Sequence, residues 1–352
     1  MKKALCACAA LCLLCAAPAL SAPRNTAQPE KPAPAVPAVD PAQSAAELEK
    51  VQKALDEKDY AAAYKLVKPL ADAEVPDALY VLGRMYETGN GVKKSPRSAA
   101  DCFRRGAAQG DPSSMNSYGA LLASGSGVAA NNREAVRWFR RSAEAGNATA
   151  QYNLAYMYAN GRGVRRSEEE AIDWYSRAAT QGLASAQFSL GWLYMNTKSK
   201  NQSDTKAVYW LQKAADQDHA RAQNNLAFMY AEGRGYPQDY AKAAEWYEKA
   251  AIMNYPTAQY NLGYLYEIGK GVPQNYDTAA AWYKRAADQG EAAAMFSLGV
   301  LYDQGNGVER NMSEAFRWYK KAADAGDPDA KRIMGQQKSQ KPQAQQQQRK
   351  SR

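Results

Sequence analysis

Small and apolar residues return along this chain every 36 positions without a slip in register. Trp138, Trp174, Trp210, Trp246, Trp282 and Trp318 stand one period apart, and the column continues upstream as Cys102 and Leu66. Alanine stands three residues before each of them, from Ala63 to Ala315, and five after, from Ala71 to Ala323. Twenty residues before each tryptophan-column site from Cys102 onward comes Leu82, Tyr118, Leu154, Leu190, Leu226, Leu262 or Leu298, followed at once by glycine or alanine. The i, i+4 pairing of Leu154 with Tyr158, repeated in most units, marks one face of a helix. A second helix carries the tryptophan. Ser95, Asn131, Ser167, Ser203, Asp239, Asn275 and Asn311 are good N-cap residues at its start. Each unit therefore reads as helix, glycine-punctuated loop, helix and short turn. A fixed period in this range signals a stacked repeat array. The tryptophans read as core residues between layers, and the Gly-x-Gly pairs such as Gly269 and Gly271 as helix C-caps and turns.

This pattern resembles the Sel1-like repeat family, a relative of the tetratricopeptide solenoids. The residues that carry the resemblance are Leu262-Gly263 with Tyr266, Gly269-Lys270-Gly271-Val272, Ala279, Trp282-Tyr283, Ala286-Ala287 and Gly290. Seven such units run from about Val75 to Gly326. The resemblance implies an all-α fold, a right-handed α-solenoid superhelix of antiparallel helix pairs, serving as a protein-binding scaffold.

The ends of the chain read differently. Lys2 and Lys3 precede an apolar stretch, Ala4 to Leu20, that closes on small residues. Residues 1–22 are expected to be a cleaved signal peptide, which places the mature protein in the periplasm or outside the cell, without a transmembrane segment. Residues 23–43 form a Pro/Ala-rich linker, residues 44–74 N-terminal capping helices, residues 75–335 seven repeats with a C-terminal capping helix, and residues 336–352 a disordered glutamine-rich basic tail. The formal charge of +9 belongs to those ends, because removing the Lys and Arg of residues 1–22 and 336–352 leaves +2. A nearly neutral body does not suit nucleic acid. The basic tail suits weak contact with an anionic surface.

Candidate chemistry is sparse. The chain has one histidine, His219, and five cysteines, of which Cys6, Cys8, Cys12 and Cys15 lie in residues 1–22. Cys102 is then the one thiol of the mature chain, which leaves no intramolecular disulfide. That departs from the cysteine-rich secreted branch of Sel1-like proteins and from the penicillin-binding or β-lactam-hydrolysing activity ascribed to it. No cofactor or metal is expected. The preferred function is a non-enzymatic scaffold for a protein or peptide, with roles in envelope complex assembly or signalling suggested by the family. A β-lactam or cell-wall hydrolase or binder is the alternative, and binding of peptidoglycan glycan or peptide a third.

The first helices also carry apolar residues opposite their core stripe, where a surface helix is ordinarily polar. Tyr152 with Tyr156, Phe188 with Trp192, Phe228, Tyr260 with Tyr264, and Phe296 form this stripe, flanked by the asparagine column Asn153, Asn225 and Asn261. By analogy with tetratricopeptide arrays it lines the concave surface and docks a partner, the asparagines holding a peptide backbone. The other reading is that these rings pack neighbouring first helices together.

Overall fold

The computed structural model describes residues 41–196 and 201–335. The stretches read as signal peptide and tail, and most of that read as linker, lie outside the described residues. Sixteen bounded helices follow one another: α1 (Pro41–Asp56), α2 (Tyr60–Asp72), α3 (Pro76–Thr88), α4 (Pro96–Ala108), α5 (Pro112–Ser124), α6 (Asn132–Glu144), α7 (Ala148–Asn160), α8 (Glu168–Thr180), α9 (Ala184–Asn196), α10 (Asp204–Ala215), α11 (Ala220–Glu232), α12 (Tyr240–Ile252), α13 (Pro256–Ile268), α14 (Tyr276–Asp288), α15 (Ala292–Gln304) and α16 (Met312–Asp324). Residues 328–335 open a further helix, and no strand occurs among the described residues. The first helices of the seven repeats start 36 residues apart from Pro76 to Ala292, and the second helices likewise from Pro96 to Met312. The first described helix begins at Pro41, inside the stretch read as linker.

The chain divides into two compact units, meeting in sequence within α9 at residues 186 and 187. In residues 41–186, each helix from α1 to α8 packs on the next. In residues 187–335, the same neighbour-to-neighbour packing runs from α10 to α16. The two helices of a repeat are antiparallel: Ser95 N–H donates to the Tyr86 carbonyl, while Gly83, earlier in α3, faces Phe103, later in α4.

Local chemistry explains the helix ends. The side chains of Ser95, Asn131, Ser167, Ser203, Asp239, Asn275 and Asn311 all accept a backbone N–H from the first turn of their helix, satisfying an otherwise orphaned donor. Gly269 ends α13 in the left-handed conformation at φ +67°. Two residues on, Gly271 has a different task. A Cβ there would lie 2.2 Å from the carbonyl of Tyr240 in the preceding repeat. Gly91, Gly127, Gly163, Gly235 and Gly307 make the same approach to the first turn of the preceding second helix. The second glycine of each pair thus fixes the distance between repeats as well as turning the chain.

The core lies one residue away from where the tryptophans point. Phe103, Phe139, Tyr175, Leu211, Tyr247, Tyr283 and Tyr319, each following a tryptophan-column residue, are buried. Their side chains press on the small-residue column of the first helix, as Tyr283 does on Gly263 and Leu211 on Gly191. Trp174 and Trp318 are buried, but Trp138, Trp210, Trp246 and Trp282 are half-buried. Five of the six indole rings carry the cation of the residue three positions on: Arg141, Arg177, Lys249, Arg285 and Lys321 sit 3.9–4.7 Å from the ring centroids. The tryptophan column is the rim of the core, capped by charge.

Candidate partner-docking face

The apolar stripe on the first helices splits into two columns with different environments. Its earlier column is taken up by packing within the repeats. Tyr152 lies against Tyr175 at 5.5 Å between ring centroids, Tyr260 against Tyr283 at 5.6 Å, and Phe296 against Tyr319 at 5.5 Å. Phe188 stacks on His219 at 4.7 Å and 22°. Tyr260 is buried, and Tyr152, Phe188 and Phe296 are half-buried. Tyr152, Tyr260 and Phe296 close the space between the helices of their own repeat, while Phe188 packs on the cap of α11.

The asparagine column is likewise internal. Asn153 donates its side-chain amide to Asn116 Oδ1 at 2.9 Å, and Asn261 donates to Asn224 Oδ1 at 3.1 Å, each reaching one repeat back. Asn224 in turn donates to Asn225 Oδ1. Asn225 and Asn261 are buried. Asn261 is thus bonded to the first helix of the repeat before it, and Asn225 to its neighbour within α11. Asn261 Oδ1 itself is buried without a hydrogen-bond partner, a cost that the bond donated by its amide nitrogen offsets in part.

The later column keeps part of its rings at the surface. Tyr156 in α7 is half-buried, as are Trp192 in α9, Phe228 in α11 and Tyr264 in α13. Val300 continues the column in α15. Within residues 187–335, Trp192, Phe228 and Tyr264 thus recur on one helix face at one-repeat intervals. Partial burial, with Glu267 close by, pushes the Tyr264 hydroxyl above the usual tyrosine range. Tyr283, buried beneath and donating to Glu267 Oε2 at 2.5 Å, is pushed well above that range by burial. The Tyr264 hydroxyl stays neutral near pH 7, so this surface ring carries no phenolate charge.

Among the described residues no three His, Cys, Asp or Glu come together as a metal site, and no helix is long and apolar enough to cross a membrane. Cys102 is a buried free thiol, and burial raises its pKa to about 11. His219 caps α11, its Nδ1 accepting the Ala222 N–H at 3.3 Å. Each of these two reactive side chains therefore has a packing or capping duty.

The Sel1 repeat family model matches seven consecutive stretches, residues 76–111, 112–147, 148–183, 184–219, 220–255, 256–291 and 292–327. Among solved structures, a protective antigen present in uropathogenic Escherichia coli strains and displaying an SLR fold is 32% identical, with a TM-score of 0.74 over 82% of this chain and 62% of the antigen. The chain thus spans less than two thirds of that antigen's length. A Sel1 repeat protein from Oxalobacter formigenes is 28% identical, with a TM-score of 0.64 over 88% of this chain and 97% of that one. No curated protein matches the chain. Sel1 repeats are generally a protein–protein interaction fold. With a repeat start every 36 residues, the same paired-helix packing and a family match from residue 76 to residue 327, the chain belongs to the Sel1 repeat family.

Proposed function

We propose that this chain is an exported, non-enzymatic scaffold that docks a protein or peptide on the surface rings of its first helices. The observation that carries the reading is the recurrence of Trp192, Phe228 and Tyr264, half-buried and in register, on successive first helices. Large rings held by a rigid stack lose little rotamer freedom on binding and bury much area, which is why such residues anchor interfaces. The register favours an extended or helical segment that meets one ring per repeat. Export rests on Lys2 and Lys3 ahead of the apolar stretch to Leu20. The mature scaffold then works in the periplasm or outside the cell, in complex assembly or signalling.

The test is affinity capture of envelope proteins on the mature chain, compared with the triple variant Trp192→Ala, Phe228→Ala, Tyr264→Ala. The expected outcome is loss of the retained partner while the circular-dichroism melt keeps its helical amplitude. Equal retention by the folded variant would overturn the docking face. Turnover of a chromogenic β-lactam by the purified mature chain would overturn the non-enzymatic reading.

A further inference from the structure

A glutamine relay ties several of the repeats together at the turn after the second helix. Gln151, Gln223 and Gln259 are buried, and each donates Nε2 to a last-turn carbonyl of the preceding second helix: Ala143, Ala215 and Ala251, at 3.1, 3.2 and 3.1 Å. The oxygens of Gln151 and Gln259, and of Gln187 at the equivalent position, are met from the other side by a glutamine 30 residues later. Gln181 donates to Gln151 Oε1, Gln217 to Gln187 Oε1 and Gln289 to Gln259 Oε1, all at 2.8 Å. In residues 220–255 the donor position holds Met253. Gln223 Oε1 is accordingly buried without a hydrogen-bond partner, with its residue 1% exposed.

The missing donor's place lies at the surface, although Gln223 Oε1 itself is sealed from water, so a donor reaches it only as the flexible Met253 side chain shifts. A depression of about 370 Å³ there is lined by Asp218, Gln223, Lys249, Ile252 and Met253. Ile252 is 70% exposed and Met253 46% exposed, and both belong to the few exposed large apolar side chains among the described residues. A buried acceptor without a donor is a standing cost, and any group that supplies the donor recovers it. Methionine adapts its shape and is favoured on adjustable binding surfaces.

We propose that this depression binds the primary carboxamide of an asparagine or glutamine on a partner protein, with an adjacent apolar side chain of the partner resting on Ile252 and Met253. The carboxamide is the group that fits, because the chain itself makes this contact three times with a carboxamide Nε2. A carboxylate brings no donor to Gln223 Oε1. An ammonium would lie beside Lys249, with Asp218 already facing Gln223 Nε2, and would bring no acceptor for the lysine. The carboxamide oxygen instead faces a lysine able to donate to it. These residues are distinct from the aromatic face, so the site stands or falls independently of it.

The experiment follows the methyl resonances of Met253 and Ile252 in the full chain labelled with 13C-methyl methionine and isoleucine, titrated with acetyl-Leu-Gln-Leu dimethylamide. The expected result is a saturable shift of Met253, about tenfold weaker with acetyl-Leu-Glu-Leu dimethylamide. Met253→Gln places in this repeat the residue that stands in register at Gln217 and Gln289, so it folds, and it occupies the Gln223 acceptor from within. It is expected to raise the melting temperature and to abolish the response of Ile252 to the peptide. An equal response to both peptides, no response at millimolar peptide, or retained binding in Met253→Gln would overturn the site. Binding that appears only in a chain ending at Gly335 would assign the depression to the chain's own glutamine-rich tail and overturn the partner.

Discussion

Gly271 rests on the backbone of Tyr240, so close that a Cβ would sit 2.2 Å from the carbonyl carbon and oxygen, at a φ of +74°. Gly290 is also left-handed, at φ +93°, yet nothing lies within 4 Å of where its Cβ would be. The pair separates two costs of replacing glycine. Alanine in the left-handed region costs about 1–2 kcal/mol, and forcing an atom into a packed contact costs about 1–3 kcal/mol more. Gly290→Ala is expected to show the first alone, and Gly271→Ala both. Urea titration of the two variants checks this, and equal losses would show that the repeats part freely at Gly271.

Tyr247 and Trp246 are neighbours with different depths, the first 0% exposed and the second half-buried under Lys249. Tyr247→Ala is expected to destabilise by about 3–5 kcal/mol, as truncation of a fully buried aromatic does. Trp246→Ala is expected to lose distinctly less, since part of its ring already meets water. Denaturant midpoints in the reverse order would return the core to the tryptophan column.

His219 caps α11 with its neutral Nδ1, and burial lowers its pKa below the usual 6.5, with Arg221 lowering it further against a raising backbone hydrogen bond. A histidine with a depressed folded-state pKa contributes stability that is present above 6.5 and lost as the pH falls through the folded-state value. The cap is worth about 0.5–2 kcal/mol. The melting temperature is expected to drop between pH 7.5 and pH 5 by more in the native chain than in His219→Asn. Asparagine caps the equivalent helix at Asn147 and does not titrate. Parallel pH profiles would remove His219 as the cause.

Cys102 is buried in a helix packed on both neighbours, and burial holds its thiol neutral with a pKa of about 11. The thiolate is the reactive form. A chain starting at Pro23 is expected to leave Cys102 unmodified by a disulfide reagent at pH 8, and to yield its one thiol in guanidinium. Rapid modification of the folded protein would show that α4 opens easily.

The sequence carried the architecture because its periodic code and its caps are local: Asn131 three residues before Glu134 already writes the bond that Glu134 N–H makes to it at 3.1 Å. Depth was less legible. Trp246 and Tyr247 are both large, apolar and adjacent, and only the position of the first helix decides which ring is sealed. The docking stripe was ambiguous for a related reason. Asn261 is equally compatible with solvent, a ligand or another asparagine, and its partner Asn224 stands 37 residues away at a position that most other repeats fill with a ring. The Gln223 vacancy was hidden because it appears only when Met253 is compared with the glutamine that performs its office elsewhere.

The close seat of Gly271 on Tyr240, like the ladders of Asn261 and Gln259, reaches a single repeat backward and no further. Such a chain is edited in whole syllables: gaining or losing 36 residues at once preserves the spacing of the glycine seats, whereas an insertion of three or four between Gly269 and Gly271 throws the following helix off its neighbour. Variation among copies of this protein should therefore come as changes of length by complete multiples, with substitutions rather than indels reshaping what each face presents.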